Sequence, residues 1–324
     1  MKLKRRIGIA LSLVLIPVLA VLFYIYAIPE DVPCFRTVFP VMGTVSTISV
    51  YSSEAELTEA FKISKKEFDA VEKLCSLYNI QSELSLINTN ASHAPVKCSE
   101  DMWHLLMRSK AAYIESDGHF DITVKPLMDL WGFYRKRDCA PAENEIKAVM
   151  KRVGFDKVIL DEKEKTILFS IPGMELDMGG IAKGYAVDRA AAAVSAAGID
   201  SGVIDIGGNL RMLSQPPPGK KYYAIGIRDP EKKKKILPGV LKVAPGMAVS
   251  SSGDYERFVT YNGVRHSHII SPKTGYPANI SAVTVVASKA MDADIFSTAC
   301  CLGGKKSAKK LQKKFPEIKI RFTR

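Results

Sequence analysis

From Phe35 to Tyr51 apolar and polar residues alternate with the period of a half-buried strand, and Met42-Gly43-Thr44 sits in the middle of the run. Glu54 to Leu74 changes to a charged, helix-like periodicity. Ser76 to Asn90 is polar and turn-rich, and no element is predicted there. Helical spacing returns over Ser99 to Ser116, in a short helix reaching Trp131-Gly132-Phe133, and over Glu143 to Val153, while Val158 to Leu168 reads as a hairpin. A strand-like run from Thr166 to Ile171 and a Pro172-Gly173 turn lead into a glycine-rich stretch at positions 176–188. An alanine-rich helix is predicted over Tyr185 to Ala197. Gly202 to Ile206, Tyr222 to Ile227, Val283 to Ala287 and Ile318 to Phe322 read as strands, and Asn262-Gly263 marks a tight hairpin. Asp292 to Leu302 and Lys306 to Phe315 read as two helices. Helices and strands mix with several antiparallel signals, so the class is α+β rather than doubly wound. No internal repeat is present, and no linker after residue 33 divides the chain; residues 35–324 are expected to form one domain.

The chain has 324 residues, 47% of them hydrophobic, enough for a substantial core. Its net charge of +12 points to anionic partners: nucleic acid, anionic lipid or a phosphorylated ligand. Much of this charge lies in lysine clusters at 232–235, 305–306, 309–310 and 313–314; the last three recur at helical spacing and fit a solvated helix face. No nucleic-acid module is visible, so nucleic acid is not an expected partner. Attraction of the basic clusters to anionic headgroups is the expectation.

Residues 1–30 form a separate segment. Lys2, Lys4, Arg5 and Arg6 precede an uncharged apolar run from Ile7 to Ile28, long enough to cross a bilayer as a helix. The basic flank keeps that end in the cytoplasm and puts the rest outside, so the expectation is an anchored protein on the periplasmic side of an inner membrane. A cleaved signal segment is the rival reading, but no small-x-small site follows the run. Asp-Val-Pro-Cys lacks the small residue expected before a lipidated Cys34. Six cysteines permit disulfides in such a compartment, and their connectivity stays open.

Candidate chemistry is spread along the chain. Gly179 and Gly180 lie between strand and helix, where backbone N–H groups approach a ligand unobstructed and the following helix start favours phosphate. Asp294 and Thr298, four apart on a predicted helix, share a face and offer hard oxygen donors suited to Mg²⁺ or Ca²⁺. Ser297 can add another oxygen. Alternation puts His266 and His268 on one strand face before a Pro/Gly turn, and a histidine there can exchange protons near neutrality. No Cys/His set has zinc spacing. Tyr78 and Phe120 are aromatics in loop-like segments, suited either to packing or to stacking on a flat heterocycle.

Six motifs occur in order: Gly118-His119-Phe120-Asp121-Ile122-Thr123-Val124 with Trp131-Gly132-Phe133; the glycine-rich stretch 176–188; Asp205-Ile206-Gly207-Gly208-Asn209; Ser252-Gly253-Asp254-Tyr255; His268-Ile269-Ile270 before Pro272 and Thr274-Gly275; and Ala293-Asp294 with Ser297-Thr298. Together they resemble the ApbE family, the FAD:protein FMN transferases, from about Thr37 to beyond Gly304. The resemblance implies a single ApbE-like (T-fold-like) domain with mixed, largely antiparallel sheets flanked by helices. It implies Mg²⁺-dependent cleavage of FAD, transfer of FMN to a threonine or serine of a partner protein, and release of AMP. Partners of this kind are flavoprotein subunits of membrane redox complexes.

Carried over by the resemblance, the side chains of Asp294 and Thr298 and the carbonyl of Ala182 would hold Mg²⁺. Met42, Tyr78, His119, Phe120, Asp121, Gly179, Lys183, Tyr185 and Ile270 would contact FAD. His268 would be the base on the acceptor hydroxyl. From the chemistry of pyrophosphate cleavage itself, apart from the resemblance, Lys183 is the cation placed to offset charge on the departing AMP. Ser297 and Ser271 stand where relatives carry acids, so those acids' roles have no counterpart here. Three rivals keep the same residues in view: an FAD pyrophosphatase with water as acceptor, a non-catalytic FAD-binding protein, and a structural adaptor at the membrane surface.

Overall fold

A computed structural model describes residues 33–323 apart from 230–235, 237, 254–256 and 280–281. The expected anchor and the 232–235 lysine cluster lie outside the described residues, as do Asp254 and Tyr255. Among the described residues no helix is long and apolar enough to cross a membrane, and no disulfide joins any of the six cysteines.

Seven strands form one sheet: β1 (Phe35–Val41), β2 (Thr44–Val50), β3 (Gly202–Ile206), β4 (Asn209–Met212), β5 (Ala248–Gly253), β6 (Ala282–Ala287) and β7 (Lys319–Thr323). They lie side by side in chain order, every neighbour antiparallel. The alternating run from Phe35 therefore folds as a β1–β2 hairpin. Its turn is Met42-Gly43, with φ of +49° and +70°, the mirror-image turn that suits strand twist.

Seven α-helices lie among the described residues: α1 (Glu54–Cys75), α2 (Glu83–Asn90), α3 (Glu100–Glu115), α4 (Lys125–Leu130), α5 (Glu143–Met150), α6 (Ala182–Ala196) and α7 (Ala290–Lys314). Serine caps start three of them: the Oγ of Ser53, Ser82 and Ser99 accepts from Glu56, Ser85 and Met102 N–H. The Ser82 cap, with Leu84 and Ile87 buried three apart, is why the polar stretch 76–90 contains α2 instead of only turns. Helix α7 joins the two helices expected at 292–302 and 306–315, with a break at Gly304 (φ 59°, ψ −155°).

Helices α1, α6 and α7 line up across one face of the sheet: α1 over β1 and β2, α6 over β3 and β4, α7 over β5, β6 and β7. The main core fills this layer. A smaller cluster of Met212, Tyr223, Val243, Val249 and Val286 covers the other face. A third cluster joins α4 and α5 to the hairpin Phe258–Tyr261/Val264–Ser267 through Leu127, Trp131, Ile146, Tyr261 and Ile270.

The crossing of α6 and α7 explains two residues of the glycine-rich stretch. A Cβ on Gly184 would overlap the Ala290 carbonyl and come within 2.7 Å of the Met291 Cα. Asp188 caps α7 from the neighbouring helix, accepting from Ala290 and Met291 N–H at 2.9 Å each. Gly184→Ala is expected to push the helices apart at a cost of about 1–3 kcal/mol. Thermal denaturation should then show a melting point lower by roughly 2–4 °C for each kcal/mol.

Candidate active site

The helix layer and the third cluster leave a cleft of about 610 Å³ between them, within the range of small-molecule sites. Met42, Tyr78, His119, Phe120, Asp121, Gly179, Ala182, Lys183, His268, Ile270, Asp294 and Thr298 all line it. Residues far apart in sequence thus meet in one place.

The glycine loop is held rigidly. Asn88 clamps Leu176 through both of its backbone groups at 2.9 and 2.7 Å. Asp177 accepts from Gly179 N–H at 2.7 Å and from the Tyr134 hydroxyl at 2.8 Å. A Cβ on Gly180 would meet Phe120 at 3.1 Å and the Thr298 hydroxyl at 3.4 Å, so the loop backbone rests directly against these side chains. Helix α6 begins at Ala182, three residues earlier than the alanine pattern indicates.

That start moves Tyr185 out of the expected site. It lies about 200° around the helix from Lys183, and its hydroxyl bonds Asp101 at 2.6 Å. It lines a separate cavity of about 430 Å³ with Arg189 and His104. Tyr185 therefore packs between helices, outside the lining of the cleft. Ser297 is also displaced from the cleft: it is fully buried and bonds Ser252 at 2.7 Å and the Asp294 carbonyl at 3.0 Å. His266 turns away to stack on Trp131 at 5.0 Å, because the strand ends at Ser267 and the shared face with His268 does not persist.

Asp294 is 3% exposed. Its carboxylate accepts from Gly184 N–H at 3.1 Å and lies 3.8 Å from the Lys183 ammonium. Burial raises its pKa, and Lys183 and the Gly184 bond only partly oppose this. Lys183 itself donates to the Gly179 carbonyl at 2.6 Å. Asp121 lines the cleft, yet its carboxylate faces inward to Thr123 and Phe155 N–H at 2.8 and 3.1 Å, and burial pushes its pKa to about 6. Burial, then Lys273, lowers the pKa of His119, whose Nδ1 has no hydrogen-bond partner.

His268 donates from Nδ1 to the Arg257 carbonyl at 2.9 Å, which leaves the Nε2 lone pair free. Burial, then the Lys183 charge, holds its pKa down to about 4. The imidazole is neutral at pH 7.

Two cleft residues escape the sequence reading. The Arg257 guanidinium lies 5.7 Å from the centroid of Phe133 and 5.1 Å from that of Tyr134, and donates to the Phe133 carbonyl. Tyr134 packs edge-on to the 75%-exposed Tyr78 at 5.9 Å. The available signals were slight: Tyr134 directly follows Trp131-Gly132-Phe133, and Arg257 lies two residues beyond Ser252-Gly253-Asp254-Tyr255. Met42 also stands out, because a non-glycine residue at φ +49° is strained by about 1 kcal/mol and points to a functional reason for its place at the cleft.

These features define a class: an α+β protein with a nucleotide-sized cleft combining a glycine loop, a buried acid, a lysine and a neutral histidine. The chain belongs to the ApbE family, whose model it matches over residues 42–322. It is 32% identical over 260 residues to an FAD:protein FMN transferase of Klebsiella pneumoniae, covering 79% of this chain and 78% of that protein. With one of Treponema pallidum it shares 30% identity over 307 residues, covering 87% and 82%. A crystal structure of the ApbE protein from Thermotoga maritima superposes with a TM-score of 0.80 at 30% identity, covering 90% of this chain and 97% of that one. The flavin transferase ApbE from Vibrio cholerae gives 0.77 at 27%, covering 89% and 93%.

Proposed function

We propose that this chain is an FAD:protein FMN transferase: it moves the FMN half of FAD, with Mg²⁺, onto a threonine or serine hydroxyl of an acceptor flavoprotein and releases AMP. The observation that carries the reading is the meeting of Asp294, Thr298, Lys183, the glycine loop and the free Nε2 of His268 in one cleft of an ApbE-family chain.

The donor set suits Mg²⁺. Asp294 brings a buried carboxylate whose charge is only partly offset, and Thr298 brings a hydroxyl at the same cleft wall; both are hard oxygen donors. With the Ala182 carbonyl they would hold the ion. When bound, it supplies charge neutralisation on phosphoryl oxygens.

The chain's own groups account for the rest. Glycine-loop amides and the α6 start orient the pyrophosphate. Tyr78, exposed at the cleft and held edge-on by Tyr134, offers an aromatic face for a heterocycle, with the Arg257 guanidinium close by. His268 Nε2 takes the proton of the acceptor hydroxyl. The hydroxyl oxygen bonds to the FMN phosphorus, and the phosphoanhydride bond to AMP breaks. Lys183 stands where it can offset charge on the leaving phosphate. The apolar run at residues 7–28 supports an anchored enzyme on the periplasmic side, acting on subunits of membrane redox complexes.

The test is incubation of the full chain with FAD, Mg²⁺ and a threonine-bearing acceptor peptide, following peptide mass and free flavin together. An FMN-sized mass gain with equimolar AMP is the expected result. Free FMN and AMP with unmodified peptide would make the chain a pyrophosphatase, and intact FAD would make it a binding protein.

A further inference from the structure

The second half of α7 carries a charged face that the chemistry above does not use. Between Asp294 and Glu317 the chain has no acidic residue, while Lys305, Lys306, Lys309, Lys310, Lys313 and Lys314 fall in that interval. At about 100° per residue the six lysines occupy one half of the helix, and Ser307, Ala308 and Leu311 fill the buried half. Lys310 pairs with Asp117 and Lys314 with Glu115, so one edge of the face is neutralised. Lys305, Lys306, Lys309 and Lys313 are exposed and have no acidic partner among the described residues.

This face continues from the mouth of the cleft. Thr298 and Leu302 line the cleft, and the next residue, Gly303, packs against His119. Lys306 and Lys273 lie near enough to His119 to disfavour its protonation. His268 lines the same cleft as Leu302, three residues before the first of these lysines.

We propose that the Lys305, Lys306, Lys309 and Lys313 face binds an acidic segment of the acceptor protein beside the hydroxyl that receives FMN; this rests on the transferase reading. Position favours the acceptor over a bilayer. The described chain begins at β1, whereas α7 packs on β5, β6 and β7. From β1 to β7 are six strand spacings, roughly 29 Å, so the lysines lie toward the edge away from where the N-terminal segment joins. Unpaired rim cations raise the association rate of an acidic partner and make it salt-dependent, with little effect on the chemical step.

The experiment uses the full chain, FAD, Mg²⁺ and two peptides identical around one threonine, flanked by glutamates in one and by glutamines in the other. At low salt the glutamate peptide is expected to have a KM about tenfold lower. The gap should close near 1 M salt, where the Debye length is about 3 Å. The triple variant Lys305→Glu, Lys309→Glu, Lys313→Glu should lose the preference while keeping kcat and the KM for FAD. Equal KM values on the wild type overturn the docking proposal and leave the transferase intact. A triple variant that keeps the preference overturns it too. If that variant instead loses binding to phosphatidylglycerol vesicles while discriminating between peptides as before, the face is a lipid site and the proposal falls. Failure of the wild type to modify either peptide removes the transferase reading itself, a result distinct from the others.

Discussion

Asp294→Asn is expected to melt at a higher temperature than the metal-free wild type while losing about a thousandfold in FMN transfer. The two effects have one cause. A carboxylate that is 3% exposed, with one N–H donor and a lysine 3.8 Å away, holds a charge that its surroundings do not fully offset. Asparagine keeps an oxygen for the Gly184 N–H and removes the charge. Lys183 is not stranded by the change, since it is partly exposed and bonded to the Gly179 carbonyl. Because burial raises the Asp294 pKa, folding disfavours its ionised form, and a neutral residue of the same shape removes that cost; each kcal/mol recovered is roughly 2–4 °C. The same change removes the one carboxylate that would hold Mg²⁺. Divalent-cation assistance is worth several kcal/mol, and about 4 kcal/mol is a thousandfold in rate. Melting curves with and without Mg²⁺ should show an upward shift in the wild type only. A variant that keeps both the Mg²⁺ shift and wild-type transfer would strip Asp294 of this role.

How far the sequence revealed the site depended on whether the signal was local. The glycine loop and the Asp294–Thr298 spacing were legible because each rests on neighbours within one element. The β1–β2 hairpin was half legible: the alternation was plain, but Met42 in a left-handed turn position is not what a turn preference predicts. Tyr185 came from the resemblance and not from a local signal; on α6 its side chain faces away from the cleft, and its hydroxyl bonds Asp101. Ser297 failed for a related reason: adjacency to Thr298 on a helix means a turn of about 100°, which sends its hydroxyl into the Ser250–Ser252 network. Tyr134 and Arg257 were missed because their meeting depends on packing of segments more than a hundred residues apart. Beyond its two tight hairpins, β1–β2 and β3–β4, the sheet order had no local signal. Four long-range pairings set the rest, and one of them joins β2 to β3 across the whole insertion that builds the cleft.

His268→Ala is expected to lower kcat by about 10²–10⁴ while leaving FAD affinity nearly unchanged. The hydrogen bond from Nδ1 to the Arg257 carbonyl fixes the tautomer, so Nε2 is the acceptor of protons at the cleft. Alanine removes that acceptor and leaves the Tyr78–Tyr134 ring contact at the cleft in place. The pH profile gives a second, independent signature. Only the neutral imidazole can act as base, so activity falls as pH drops through its pKa. With that pKa lowered to about 4, kcat/KM should show no His268 inflection between pH 5 and 8, and its acid limb should lie near pH 4. Burial is the larger cause and Lys183 the next. Lys183→Met removes a positive neighbour, makes protonation easier and moves the acid limb to higher pH. The measurement is kcat/KM for FMN transfer from pH 3.5 to 8 in wild type, Lys183→Met and His268→Ala. An acid limb in the wild type near pH 6.5 would mean that His268 is solvated like a free imidazole, and a limb that persists unchanged in His268→Ala would assign it to another group.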